Sequence, residues 1–423
     1  MSHRSQASTS SLRSSLEIVP YTPLGAQEIE DTLVDLAHPY TGVLDLALGI
    51  KADGVSIQPC KATASQDRYV VEQFSLVEGG GMWTLTGVFD GHLGDATVEH
   101  TAHHLPVIIQ EFLTKEYARS PGAVSHPASV ARILKHAITS FDRDIVRDVA
   151  QLFPDGLGAS LDKLSDAEIR AVINDYDNGL KNYKKVQLCL YGTTALVALV
   201  DPKRENVWVA NLGDCQAVLA SRRADGAWSS EFLTRSHNGT DEREVARVRD
   251  EHPGEPECIK NGRVLGAIAP FRCIGDQPFK LPPSFTRRVL FNLDPGYTNK
   301  APWEQFLRRN LTPPYISADA EVVHRRIVPT RAPGAQTNHF LILCTDGLGD
   351  LYEDVRGKQE LADRYMRAVV GPVPKPFSVD ENYALKLLRS ALGGEDLDAV
   401  SQLLTVQTEK TWLDDTTVIV QLL

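Results

Sequence analysis

Four stretches of this chain close or open an apolar, β-prone run with an aspartate. They are Val88-Phe89-Asp90-Gly91-His92, Asn211-Leu212-Gly213-Asp214, Cys344-Thr345-Asp346-Gly347 and Asp414-Asp415-Thr416, with Asp350 four residues beyond Asp346. A bare carboxylate at a strand end is costly unless it is solvated or paired, and no Lys or Arg alternates with these acids. Gathered at one sheet edge, such oxygens suit hard divalent cations, Mg²⁺ or Mn²⁺. Two ions sharing one aspartate orient a water, lower its pKa and stabilise a phosphoryl oxygen. Gly91 lets the chain turn so that its own carbonyl faces a ligand. His92, two residues from Asp90, then stands beside the metals, where an imidazole protonates a departing alkoxide.

Any one Asp-Gly pair is most simply a turn; it is the set that argues for a metal site. Other patterns carry less. His100, His103 and His104 share a helical spacing, but without an HExxH signature they read as a solvated helix face. Gly79-Gly80-Gly81 reads as a hairpin loop. The 6 cysteines are scattered without a CxxC pair, which excludes a zinc knuckle and a disulfide framework and suits a reducing compartment. Formal net charge is −11 with no basic stripe, so nucleic acid and anionic membranes are poor partners. No apolar run reaches the roughly 18 residues that span a bilayer.

The elements that must position these residues follow from periodicity. Residues 129–153 carry apolar side chains at i, i+3, i+4 and i+7 and predict a long helix. A second helix is expected over 96–117, kinked or divided at Pro106, with a more polar helical continuation over 161–185. Shorter helices are expected at 28–36, 382–392 and 396–404. Asp241 with Glu244 has capping-box spacing for another. Strands are expected at 55–57, 68–74, 82–89, 193–200, 207–211, 217–221, 317–327, 339–345 and 416–422. Residues 275–310, rich in Pro, Gly and Asn, read as a surface loop or flap. Without regular βαβ alternation this is a layered α+β protein. Residues 1–35 read as an N-terminal tail, Ser-rich with Arg4 and Arg13, partly disordered or a mitochondrial presequence. Residues 36–423 form one domain with a long insertion near 275–312.

These motifs resemble the metal-dependent serine/threonine protein phosphatases of type 2C. Val88 to His92 resembles the family's first metal motif. Tyr191-Gly192-Thr193-Thr194-Ala195 and Val209 to Asp214 are similar to its Gly-Ser/Thr-Thr-Ala and Ala-Asn-x-Gly-Asp-Ser-Arg segments. Leu341 to Asp350 and Asp414 to Val418 are similar to the closing Asp-Gly and Asp-Asn motifs. The resemblance implies two packed antiparallel β-sheets flanked by helices, with two Mg²⁺ or Mn²⁺ ions at the sheet edge. Asp90 would bridge both ions, the Gly91 carbonyl would bind one, and Asp346 and Asp414 the other. Asp214 and Asp350 would serve a third ion, with His92 as general acid. A metal-activated water would then hydrolyse phosphoserine or phosphothreonine directly. Three further stretches, 237–253, 270–280 and 312–322, are similar to the pyruvate dehydrogenase phosphatase branch. That implies a mitochondrial matrix location, with a cytoplasmic one as the alternative. It also implies a phosphorylated pyruvate dehydrogenase E1 subunit as substrate and room for a regulatory subunit.

The chain departs from the family at several places. Gln66-Asp67 replaces the usual Glu-Asp, so one metal has an amide where a carboxylate is usual. Ala62 stands at the usual phosphate-binding Arg, leaving adjacent Lys61 as the candidate for the substrate phosphate. Cys215-Gln216 replaces Ser-Arg, and Gly349 replaces a Trp. These departures define a rival: a pseudophosphatase that binds phosphoproteins as a scaffold without turnover. The intact acids favour the enzyme.

Overall fold

Two antiparallel sheets carry the apolar runs. In the computed structural model, residues 19–158, 161–296, 300–329, 337–373, 375–408 and 411–423 are described. The 18 residues before them, on which the presequence reading falls, lie outside that set. One sheet has the spatial order Tyr40–Asp45, Ile50–Ile57, Thr416–Leu422, His339–Cys344, Gln216–Arg222, Trp228–Phe232. The other runs Glu321–Arg326, Asn206–Leu212, Ala195–Val200, Met82–Phe89, Arg68–Ser75.

The sheets pack face to face, and alternation along each strand shows how. Leu196, Ala198, Val200, Val207 and Val209 of one sheet meet Ala217, Leu219, Leu341, Leu343 and Ile419 of the other. The alternate residues, including Leu85, Phe89, Val197, Leu199 and Trp208, face outward onto a helical layer instead. Both faces of these strands are buried, so they read as continuous apolar runs rather than alternating ones. Helices Ala96–Arg119, Pro127–Ala150 and Lys181–Leu190 cover one sheet. Helices Ala26–Ala37, Lys358–Val370, Tyr383–Leu392 and Leu397–Thr405 cover the other. The four layers are helix, sheet, sheet, helix, an α+β fold as expected. No helix among the described residues is long and apolar enough to cross a membrane.

Several local expectations change. The helix Ala96–Arg119 runs unbroken through Pro106, whose ring is buried with Leu105, Ile109 and Leu113, so packing holds the helix where propensity would divide it. The segment 161–185 is two helices, Asp166–Ile173 and Lys181–Leu190, not one. Asp175 separates them by accepting the N–H groups of Asn182 at 3.0 Å and Tyr183 at 3.2 Å. The expected surface loop over 275–310 is a packed insert: Phe285, Leu290, Trp303 and Phe306 are buried, and Phe279 stacks on Phe306 at 4.6 Å. Packing also begins before the boundary expected at residue 36. Ile29 and Leu33 are fully buried, and Thr22 and Pro20 hydrogen-bond Thr405 and Gln407.

Candidate metal centre

Strand register brings the expected aspartates to one end of the sandwich. Phe89 pairs with Arg68 and Leu212 with Ala195, so the ends of two strands meet the starts of their neighbours. Cys344 ends its strand beside Val418, near the start of the last one. Oxygens of Asp90, Asp214 and Asp346 therefore lie within 4.8 Å of one another.

Each carboxylate is aimed by its neighbours. The Asp90 N–H donates to Thr194 Oγ1 at 3.1 Å, and its carbonyl accepts the Thr194 N–H at 2.9 Å and the Thr193 hydroxyl at 3.1 Å. Asn238 Nδ2 donates to Asp214 Oδ2 at 2.9 Å. Thr345 Oγ1, at the end of one sheet, donates at 2.7 Å to Asp67 Oδ2, at the start of the other. Asp415 is occupied by the Gln66 N–H and the Gln58 amide, both at 2.7 Å, so its role is to hold the turn. Gly91 pairs with Thr193; a Cβ there would lie 2.6 Å from the Gln66 carbonyl oxygen and 2.7 Å from Val98 Cγ1. Only glycine lets the Gln66 segment close on the Asp90 turn.

The electrostatics are those of acids crowded without cations. Burial, then the charges of Asp346, Asp67, Asp214 and Asp414, pushes Asp90 well above the usual carboxylate range. Burial, then Asp214, Asp414, Asp350 and Asp67, does the same to Asp346. Burial also raises Asp214 against its Asn238 hydrogen bond. Burial and Asp415 push Asp67 up to about 8 despite the hydroxyls of Thr345 and Thr417. Asp67 Oδ1 and Asp214 Oδ1 are buried with no hydrogen-bond partner. Orphaned carboxylate oxygens in an acidic cluster need a cation, and an all-oxygen donor set fits Mg²⁺ or Mn²⁺. Asp414 belongs to the cluster through its effect on the others, and Asp350 lies at its exposed edge.

His92 joins a small sheet with Gly192 and, through Thr193, Ile274. Its Nε2 lies 2.6 Å from Asp276 Oδ2. Burial lowers its pKa, but the charge and hydrogen bond of Asp276 outweigh that and leave it raised. Sequence reasoning gave no site role to Asp276, Asn238 or Asp67. Gly275-Asp276, a strand-end pair like Gly213-Asp214, was the available signal for the first.

The remaining candidates sit as follows. Gln66 brings its backbone to the site, its N–H on Asp415 and its carbonyl against Gly91. Lys61 is exposed on the turn after Cys60, and among the described residues no ion pair joins it to the cluster. His104 meets the His100 ring at 4.4 Å, tilted, and the His103 ring at 4.6 Å, edge-on, but the three do not form a converging nitrogen cluster as the aspartate oxygens do. Two departures from the family meet in space: a Cβ on Gly349 would lie 2.7 Å from the Gln216 amide nitrogen, and Gln216 accepts the Tyr365 hydroxyl at 3.0 Å. Gln216 fills the volume that a larger residue 349 would take.

A family profile, Protein phosphatase 2C, matches residues 51–361. The chain is 32% identical over 289 residues to bovine mitochondrial [pyruvate dehydrogenase [acetyl-transferring]]-phosphatase 1, covering 60% of this chain and 52% of that protein. It is 27% identical over 400 residues to a protein phosphatase 2C homolog of Schizosaccharomyces pombe, covering 88% and 81%. A solved serine-threonine phosphatase 2C from Toxoplasma gondii is similar at 17% identity and a TM-score of 0.44, covering 91% and 97%. The chain spans about half the length of the mammalian relatives it matches first. With the profile covering most of the sandwich and its acidic edge, the chain belongs to the protein phosphatase 2C family.

Proposed function

We propose that this protein is a metal-dependent serine/threonine phosphatase that hydrolyses phosphoserine and phosphothreonine in protein substrates. The observation that carries the reading is the convergence of Asp90, Asp214 and Asp346 within 4.8 Å, in a cluster with orphaned buried oxygens. Asp90, the Gly91 carbonyl, the Gln66 side-chain amide, Asp346 and Asp414 would hold two Mg²⁺ or Mn²⁺ ions. Asp214 and Asp350 would serve a third. Such ions, when bound, polarise phosphoryl oxygens and lower the pKa of water.

The chain's own groups do the rest. His92 gives a proton to the departing serine or threonine oxygen as the P–O bond breaks. A water oxygen bonds to phosphorus, and the proton that water sheds restores the one His92 gave. The products are the free hydroxyl and inorganic phosphate. Lys61, exposed on its turn, would reach the substrate phosphate. Similarity to relatives named as mitochondrial pyruvate dehydrogenase phosphatases supports a mitochondrial location and phosphorylated pyruvate dehydrogenase as substrate. Fractionation that finds the protein in the cytoplasm would overturn that finer assignment alone.

The test is release of phosphate from a phosphothreonine peptide with Mn²⁺ and with chelator. Metal-dependent turnover is expected. Peptide binding without turnover at any metal concentration would establish the scaffold reading instead.

A further inference from the structure

We infer that Asp276 is the positioning residue for His92, fixing which imidazole nitrogen faces the substrate; this rests on the phosphatase reading above. Asp276 is fully buried. Its Oδ2 lies 2.6 Å from His92 Nε2 and accepts the Cys273 thiol at 3.0 Å. Its segment is tied at several points. The Asp276 N–H donates to the Tyr191 carbonyl at 2.9 Å, and the Gly275 N–H donates to Asp142 Oδ1 at 2.8 Å. The Lys280 ammonium reaches both Asp142 Oδ1 and the Cys273 carbonyl at 2.7 Å. Asp142 stands on the long helix Pro127–Ala150, outside the acidic cluster, so the carboxylate is anchored independently of the metal ligands. The opposite side is closed by Gly192, where a Cβ would collide with the Asp276 carboxylate and the His92 ring. The pair has one geometry available.

That geometry assigns the two ring nitrogens. Nε2–H is held by Asp276, so Nδ1 is the atom left for the reaction. In the step, the Nδ1 proton of the imidazolium passes to the departing oxygen, which takes the electron pair of the breaking P–O bond. The neutral ring keeps its Nε2–H on Asp276. Without that partner the ring is free to flip or to change tautomer and present the wrong atom. Serine and threonine alkoxides leave poorly and need the proton, whereas an acidic phenol leaves without it.

The test compares wild type with Asp276→Asn in the full chain with Mn²⁺. On a phosphothreonine peptide, kcat should fall about 10- to 100-fold while KM changes less than about 3-fold. Turnover of p-nitrophenyl phosphate should fall less than about 3-fold, because its leaving group needs no acid. Independently, ¹⁵N spectra of the metal-free wild-type ring should show the proton of neutral His92 on Nε2, and Asp276→Asn should convert it to a mixture of tautomers. Equal loss on both esters, an unchanged peptide kcat, or a wild-type ring protonated on Nδ1 overturns the assignment. If wild type turns over neither ester, the phosphatase reading fails instead, and the ring spectrum alone decides where Asp276 acts.

Discussion

An uncharged Gln66 borders carboxylates that crowd one another. Asp90, Asp67, Asp214 and Asp346 are all raised by burial and mutual repulsion, so adding a negative ligand has opposite effects with and without metal. Gln66→Glu should lower the Mn²⁺ concentration for half-maximal activity by about 10-fold, since affinity for hard cations follows ligand charge. An unchanged titration would mean that the side chain points away from the ion. Asn238→Ala removes the donor that holds Asp214 Oδ2 and should weaken metal binding by about 10-fold, read by calorimetry. The clustering of the aspartates was legible because an acid ending an apolar run is conspicuous. Asp276 was not, because its meaning comes from a contact 184 residues away in sequence.

Among the elements, the tie between helix Glu242–Glu251 and the segment leading to Asp276 is the most exposed to test. Asp241 caps that helix through the Arg243 N–H at 2.9 Å, but Glu244 does not close the expected capping box. It is buried and accepts Arg272 Nε at 3.0 Å and Arg247 Nη2 at 3.0 Å. Burial alone would raise the pKa of Glu244; the two guanidiniums outweigh it and hold the group at about 2, against an ordinary 4.5. A depressed carboxylate stabilises the fold fully above the unfolded value and loses that contribution as pH falls from about 4.5 toward 2. Glu244→Ala should destabilise by about 3 kcal/mol at neutral pH, because it removes the bidentate partner of buried Arg272, and should flatten the acid-unfolding curve in that window. A curve parallel to wild type would contradict the tie. The same elements show what periodicity reveals. The helix Pro127–Ala150 was readable because Val130, Leu134, Ile138, Phe141 and Ile145 keep one period on one buried face. The insert at 275–310 was not, because Phe279, Phe285, Trp303 and Phe306 are buried at irregular spacing among Pro, Gly and Asn, a pattern that looks like a loop.

At the scale of the whole molecule, the two sheets exist as a pair only if their acidic ends tolerate each other. The sandwich core drives them together, while the mutual repulsion of the buried carboxylates at its edge opposes closure, and bound cations would relieve it. Metal should therefore stabilise the folded chain by about 2.7 kcal/mol at 100 times its dissociation constant, visible as a raised melting temperature. A melting temperature unmoved by Mn²⁺ would contradict the site. The layered α+β class followed from strands that cluster without βαβ alternation, and the two-sheet sandwich from the family resemblance, but strand order did not, since the first sheet joins residues near 50, 220, 340 and 420. One measurement reaches the centre of the account: a Mn²⁺ titration of wild type and Asp346→Asn, read by calorimetric binding and by phosphate release from a phosphothreonine peptide in the same samples. Binding and turnover should rise together in wild type, and both should fall by at least about 100-fold in the variant. Wild-type turnover that persists in chelator, or a variant that matches wild type in both readouts, would contradict it.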